Sequence, residues 1–272
     1  MHPMVNIALR AARRAGRIVL RAMDRAGSLR VEEKAKNDFV SEIDRAAEDA
    51  IVDTIMRAYP DHGVLGEERG AARPDAEYTW IIDPLDGTTN FLAGIPHFCI
   101  AIAVRRGAVL EHGVVVDPVH NEEFSATRGA GARMNDVRIR VTNTRALERA
   151  IVSTGIPYAQ LERHLASYTE MLRACRGGCR SVRAMGAAAL DLAYVAAGRT
   201  DAFFQVGLQP WDMAAPTVIV REAGGFVADI AGGDRFMETG NLVAANPTVF
   251  RELMKTLRGA VQRSGDEVLA RG

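Results

Sequence analysis

The sequence predicts a mixed α/β (α+β) fold on three observations. Eight short runs rich in β-branched and aromatic residues read as strands: "YTWIID", "FCIAIAV", "HGVVVD", "EEFSAT", "AIVSTG", "DAFFQV", "GFVADI" and "NLVAAN". Five stretches, 4–26, 44–59, 160–174, 186–198 and 211–223, carry helical patterns. The strands before about residue 142 follow one another too closely for helices between them, which predicts an antiparallel sheet, whereas later strands alternate with helices. The chain therefore reads as two halves, 1–143 and 144–272, packed as one compact unit.

The first element, Arg-rich and amphipathic, repeats Val5, Leu9, Ala12 and Val19 at near-helical spacing and lacks the continuous apolar centre of a secretory signal; it reads as a surface helix. No run of eighteen apolar residues follows, so no membrane partner is expected. Lys plus Arg equals Asp plus Glu at 34 each, which argues against broad electrostatic binding to nucleic acid. Cys99, Cys175 and Cys179 form neither a disulfide framework nor a zinc pattern, in keeping with a reducing, cytoplasmic setting. The histidines show no mutual metal spacing, and His97 reads as a packing or supporting residue near the acidic loop.

The chemistry concentrates at element boundaries. In "TWIIDPLDGTTNF" an apolar run ends in Asp83, and Asp86 follows three positions later, with no Lys or Arg from Pro74 to Val104. Pro84 lacks a ladder donor and should stop the strand, Gly87 permits a tight turn, and Thr88 and Thr89 open a helix whose first N–H groups attract phosphate. An acidic pair beside an anion site needs a cation between them, and hard divalent ions such as Mg²⁺ take oxygen ligands and bridge to phosphate. Glu67 and Glu68 in "VLGEERG", Asp38 and Asp44 in "KNDFVSEID", and Asp212 in "LQPWDMAAP" add acidic groups at other breaks. A purely structural reading stands beside this one: Asp83 and Asp86 cap a helix, Arg69 pairs with a neighbouring glutamate, Asp44 is an N-cap, and Glu48 is its i,i+4 neighbour. Pro216 leaves a carbonyl one turn earlier without its helical partner and kinks the helix there.

"GEE" at 66–68, "DPLDGTTNF" at 83–91 and "WDMAA" at 211–215, in that order, resemble the inositol monophosphatase family of Mg²⁺-dependent, lithium-sensitive phosphatases. "KNDFVSEID" at 36–44, "GAAALDLAYVAAGRTDAFF" at 186–204 and "EAGG" at 222–225 extend the resemblance over nearly the whole chain, with the bacterial SuhB-type branch most similar. The resemblance implies a layered α/β/α/β/α sandwich of the inositol monophosphatase and fructose-1,6-bisphosphatase type, and a homodimer. It implies two or three Mg²⁺ ions, with Mn²⁺ as a substitute, on Glu67, Asp83, Asp86, Asp212 and the Leu85 carbonyl. Gly87 and Thr88 would hold phosphate. Asp44, hydrogen-bonded to Thr88, and Glu67 would activate the attacking water. Gly186, Ala187, Ala188 and position 205 would line the substrate pocket, with Asp86 and Asp212 at its edge.

The implied reaction is hydrolysis of a phosphate monoester, inositol 1-phosphate above all, by a metal-activated water; a related sugar or polyol phosphate, fructose bisphosphate or a 3′-phosphonucleotide is the alternative. Two departures from the family pattern bear on substrate: Gln205 stands where Glu is usual and Ala187 where some members have Ser or Thr; Ser41, where Thr is more usual, is a conservative change. A covalent Asp-x-Asp-Gly-Thr phosphatase reading fails on spacing, because two residues rather than one separate Asp83 from Asp86. A second role in a different class comes with the SuhB-type resemblance, namely transcription antitermination through RNA polymerase and Nus factors, with Arg173, Arg176, Arg180 and Arg183 as a docking patch.

Overall fold

The computed structural model describes residues 1–23, 31–35, 38–156, 161–266 and 269. Expectations for the side chains of Asp38 and Ser41, for "KN" at 36–37, and for positions 24–26 and 160 lie outside what is described.

Helices α1 (Pro3–Met23) and α2 (Glu42–Ala58) form one outer layer, preceded in α2's case by a hairpin of β1 (Val31–Ala35) and β2 (Asp38–Ser41). The buried face of α1 is Val5, Ala8, Leu9, Ala12, Ala15 and Val19, small enough for close approach to α2 and to the sheet beneath. That sheet contains β3 (Gly63–Gly66), β4 (Gly70–Ala72), β5 (Tyr78–Asp86), β6 (Cys99–Arg106), β7 (Val109–Asp117), β8 (Glu122–Thr127), β9 (Gly131–Met134) and β10 (Val137–Arg138), in the order β10-β9-β8-β7-β6-β5-β3-β4. Asn135 and Asp136, both at positive φ, form the two-residue turn between β9 and β10.

A second sheet of β11 (Ile151–Thr154), β12 (Ser181–Arg183), β13 (Ala202–Gln205), β14 (Phe226–Asp229) and β15 (Leu242–Ala245) runs in the order β12-β11-β13-β15-β14. Between the sheets lie α5 (Ala188–Ala196) and α6 (Pro210–Glu222), the short α7 (Phe236–Thr239) falls between β14 and β15 in the chain, and α4 (Leu161–Gly178) and α8 (Pro247–Ser264) cover the far face. The result is an α/β/α/β/α sandwich, with one apolar cluster under α1 and α2, one between the sheets and one under α4 and α8. Both faces of the first sheet are covered, so β5 is buried almost throughout: Trp80 and Ile82 point to the outer helices and Ile81 to the middle layer.

The structure corrects several expectations. The first sheet is not wholly antiparallel: β3 pairs parallel with β5, because the β3–β4 hairpin carries the chain back before β5 begins. Pro84 does not end its strand. Asp83 pairs with Ala101 and Asp86 with Cys99, so three steps on β5 face two on β6, and Pro84 sits in the resulting bulge where no ladder donor is required. A short helix, α3 (Thr88–Leu92), does fit between early strands. Residues 186 and 187 precede α5 rather than starting it. Helix α6 continues through Pro216, which is buried, and its Ala215 carbonyl presses so close to β7 that a β-carbon on Gly113 would lie 2.2 Å away. Helix α8 was not anticipated, although Asn246 caps it from Thr248 and Val249 and Val249, Leu253, Leu257 and Val261 give it an apolar stripe.

Candidate active site

The β5 bulge decides the geometry of "DPLD". Residues three apart in a regular strand point to opposite faces; the extra residue restores Asp83 and Asp86 to the same face. Their partners Ala101 and Cys99 belong to the cluster between the sheets, so both carboxylates point toward the middle helices. There they meet Asp212 from the first turn of α6, and the three bring carboxylate oxygens within 4.8 Å of one another. Glu67 lines the same cavity from the end of β3 but stands outside that trio.

Each carboxyl is fixed by backbone. Asp86 accepts from the amides of Ala188 (3.2 Å) and Ala189 (2.7 Å) at the start of α5, with the Cys99 thiol 3.7 Å from Oδ2. Asp83 accepts from the Leu85 amide at 3.0 Å. Asp212 accepts from the Gln209 amide at 2.8 Å in a reciprocal cap of α6. Crowding and burial push all of them toward protonation. Desolvation, then Glu67, Asp86 and Asp212, drive Asp83 well up; desolvation, then Asp212, Asp44 and further acids, drive Glu67 up. Asp86 is pushed up to about 6 by burial against the opposing Ala189 and Ala188 amides, and Asp212 to about 7 by burial and Asp86.

Around this cluster lies a cavity of about 410 Å³ lined by Glu67, Asp86, Thr88, Ala187, Gln205 and Asp212 among others. Gly87, Gly186 and Ala188 also border it, so the sequence-predicted pocket residues come together. Asp83 lies buried beneath, and Leu85 is buried with its carbonyl accepting from the Thr88 hydroxyl at 3.0 Å. That donation engages the one hydroxyl proton of Thr88, which the resemblance assigns to Asp44. Asp44 is buried in the third position of α2 and is not its N-cap. Among the described residues no Lys or Arg lines the cavity.

Three contributors escaped sequence reasoning. Glu48, read as a helix-face neighbour, is fully buried and accepts from the Glu68 (2.8 Å) and Arg69 (3.0 Å) amides, which sets the loop bearing Glu67. Arg69 pairs with Asp49, and Arg45 with Glu68 at 3.5 Å, so the expected neighbour pairing does not form. Asn90 Nδ2 donates to the carbonyls of His97 and Met185, both at 2.8 Å. Asp191, buried on α5, pairs with His97 Nε2 at 2.9 Å, giving His97 the supporting place its position suggested. Only the "NF" and "ALDLAY" contexts carried any hint of the last two. The four arginines of the suggested docking patch do not act alike: Arg173 pairs with Glu170 (2.8 Å), and Arg183 bonds the Ser181 hydroxyl and the Val182 carbonyl.

The chain is similar to known proteins along nearly its full length. The family model described as "Inositol monophosphatase family" matches residues 1–264. The chain is 49% identical over 263 residues to the protein named Nus factor SuhB of Pseudomonas aeruginosa, covering 95% of this chain and 97% of the relative. The crystal structure of extragenic suppressor protein suhB from Bartonella henselae superimposes with a TM-score of 0.91 at 41% identity, covering 94% of this chain and 98% of that one. The Thermotoga maritima IMPase superimposes with a TM-score of 0.87 at 34% identity, covering 97% and 100%. A bulged Asp-Pro-Leu-Asp strand facing an acidic helix start, in a five-layer sandwich matched along nearly its full length, leaves one assignment: the chain is a phosphatase and belongs to the inositol monophosphatase family.

Proposed function

We propose that the chain is a Mg²⁺-dependent phosphate monoester hydrolase acting on a polyol monophosphate, inositol 1-phosphate first among candidates. The observation that carries the reading is the convergence of Asp83, Asp86 and Asp212 within 4.8 Å, beside the Gly87–Thr88 turn. An all-oxygen, anionic donor set of this kind fits a hard divalent cation and not a soft one. Asp83, Asp86, Asp212, Glu67 and the Leu85 carbonyl would hold it. When bound, the metal supplies Lewis-acid stabilisation of phosphoryl charge and lowers the pKa of water.

The remaining work falls to the chain. Gly87 and Thr88 orient the phosphoryl group from the first turn of α3. Glu67, which lines the cavity, would accept a proton from the attacking water once its carboxyl is ionised, and Asp44 would help orient that water. Gln205 and the Gly186–Ala188 segment face the alcohol moiety. A cavity without a described Lys or Arg favours one phosphate per substrate over fructose bisphosphate or a 3′-phosphonucleotide, whose second phosphate would find no cationic side chain among the described lining residues. A phosphate-release panel over these compounds with Mg²⁺, with and without Li⁺, tests the reading. Release from all monoesters no faster than background, or binding of Mn²⁺ undiminished in Asp83→Asn, would refute it.

A second reading is favoured by the Pseudomonas relative, named Nus factor SuhB, at 49% identity along nearly the whole chain: the protein also serves as a Nus factor. Capture of RNA polymerase or Nus proteins, lost on charge reversal at Arg180 and Arg183 while phosphatase activity persists, tests it. We further infer assembly as a homodimer, which sedimentation at equilibrium decides.

A further inference from the structure

We propose that His97 is a positioning residue for the acidic site, holding the first turn of α5 against Asp86 through its pair with Asp191. This inference rests on the proposed ligand role of Asp86.

The amides that anchor Asp86, those of Ala188 and Ala189, come from a helix more than a hundred residues away in sequence. Something must keep that helix start in register with β5. The Gly186 turn before it, at φ 91°, packs against Asn90, whose amide nitrogen would lie 3.0 Å from a β-carbon there. Two side-chain clamps cross the gap. Asn90 bridges the carbonyls of His97 and Met185, and His97 Nε2 reaches Asp191 Oδ1 at 2.9 Å, one turn into α5.

The fit leaves little slack. A β-carbon on Gly87 would lie 3.0 Å from the His97 carbonyl and 3.1 Å from the Ala187 β-carbon, so the 94–98 segment and the α5 start are both packed onto the Asp-Gly-Thr turn. Asp191 is 1% exposed and His97 is mostly covered, with its ring edge-on to Tyr194. A buried carboxylate with a short hydrogen-bonded contact costs more to leave unpaired than to keep paired. Loss of the His97 donor would leave Asp191 unpaired inside the helix layer, and the cheapest relief is a shift of α5 that also draws the Ala188 and Ala189 amides off Asp86. Groups that orient a ligand from behind are worth about tenfold or more in metal affinity.

The test measures Mn²⁺ affinity by titration calorimetry and phosphatase kinetics on the full chain, for wild type, His97→Ala, His97→Gln, Asp191→Ala, the His97→Ala/Asp191→Ala double variant, and Asp86→Asn. His97→Ala is expected to weaken Mn²⁺ binding about tenfold. Its turnover should recover partly at saturating metal. His97→Gln, whose amide nitrogen sits near the Nε2 position, should return affinity to within about threefold of wild type. The double variant should be no worse than the poorer single one. Unchanged affinity in a folded His97→Ala, strict additivity in the double variant, or a His97→Gln as impaired as His97→Ala would overturn the proposal. Should His97→Ala not fold, Asp191→Ala and His97→Gln carry the comparison. Retention of Mn²⁺ binding by Asp86→Asn would instead bring down the ligand assignment itself.

Discussion

The carboxyl group of Glu48 fills the space that a β-carbon on Gly66 would occupy, 2.7 Å away. Helix α2 and strand β3 are thereby interlocked at the point where the chain turns into Glu67. Only glycine permits the approach, and only an acceptor as long as glutamate reaches the Glu68 and Arg69 amides.

Gly66→Ala is therefore expected to displace Glu48 and the loop it holds. Overpacking of this kind costs about 1–3 kcal/mol, and turnover should fall at least about tenfold because Glu67 moves with the loop. Chemical denaturation together with steady-state kinetics checks both. Wild-type values for Gly66→Ala would mean that the interlock is slack.

Removing one charge from the acidic trio should separate stability from activity. Asp212→Asn relieves repulsion by Asp86 and the desolvation of a carboxylate at the α6 start. The metal-free variant should gain about 2 kcal/mol while turnover drops by orders of magnitude. Melting curves in chelator set against phosphate release decide the point; a less stable, still active variant would contradict it.

The pH dependence follows in sign. The Asp86 and Asp212 carboxyls lie at about 6 and about 7 in the folded chain against 3.8 ordinarily, so the folded state retains protons that the unfolded chain has released. Stability of the metal-free protein is then greatest below about pH 4 on this account and declines as pH rises through about 7. Saturating Mg²⁺ should flatten or reverse the trend, since metal binding favours the ionised carboxylates. Thermal melts across that range, with chelator and with Mg²⁺, provide the check.

Gln205 lies against Gly155, where a β-carbon would sit 2.0 Å from the amide oxygen, so its side chain is steered along the cavity wall. Gln205→Glu should strengthen hydroxyl contacts by about 1 kcal/mol and lower KM for inositol 1-phosphate about fivefold. Simple aryl phosphates, with no ring hydroxyls to offer, should be unaffected. Equal changes for both substrates would place position 205 outside the alcohol pocket.

Much of this was legible in the sequence because the decisive signals are local. The apolar run in "YTWIID", the proline and glycine flanking Leu85-Asp86, and Asp212 at a helix start after Trp211 each express short-range rules, and they marked β5, the turn after it and α6. Where local rules competed with tertiary ones, the reading failed. Pro84 looked like a strand end, but the one-residue bulge removes the need for its missing donor. Glu48 looked like an i,i+4 neighbour of Asp44 on the helix, but the bare backbone of Gly66 lets a buried carboxylate in.

The sequence by itself determined that four acidic segments end at element breaks, and that one of them is an Asp-Pro-Leu-Asp strand end followed by a phosphate-attracting turn. Only the tertiary structure decided that Asp83 and Asp86 share a face, that Asp212 joins them while Glu67 stands aside, and that Asn90, His97 and Asp191 tie α5 onto the site. The physical reason is range. Turn chemistry and periodicity act over a few residues, whereas face, register and the meeting of distant carboxylates are settled when two sheets close on the helices between them.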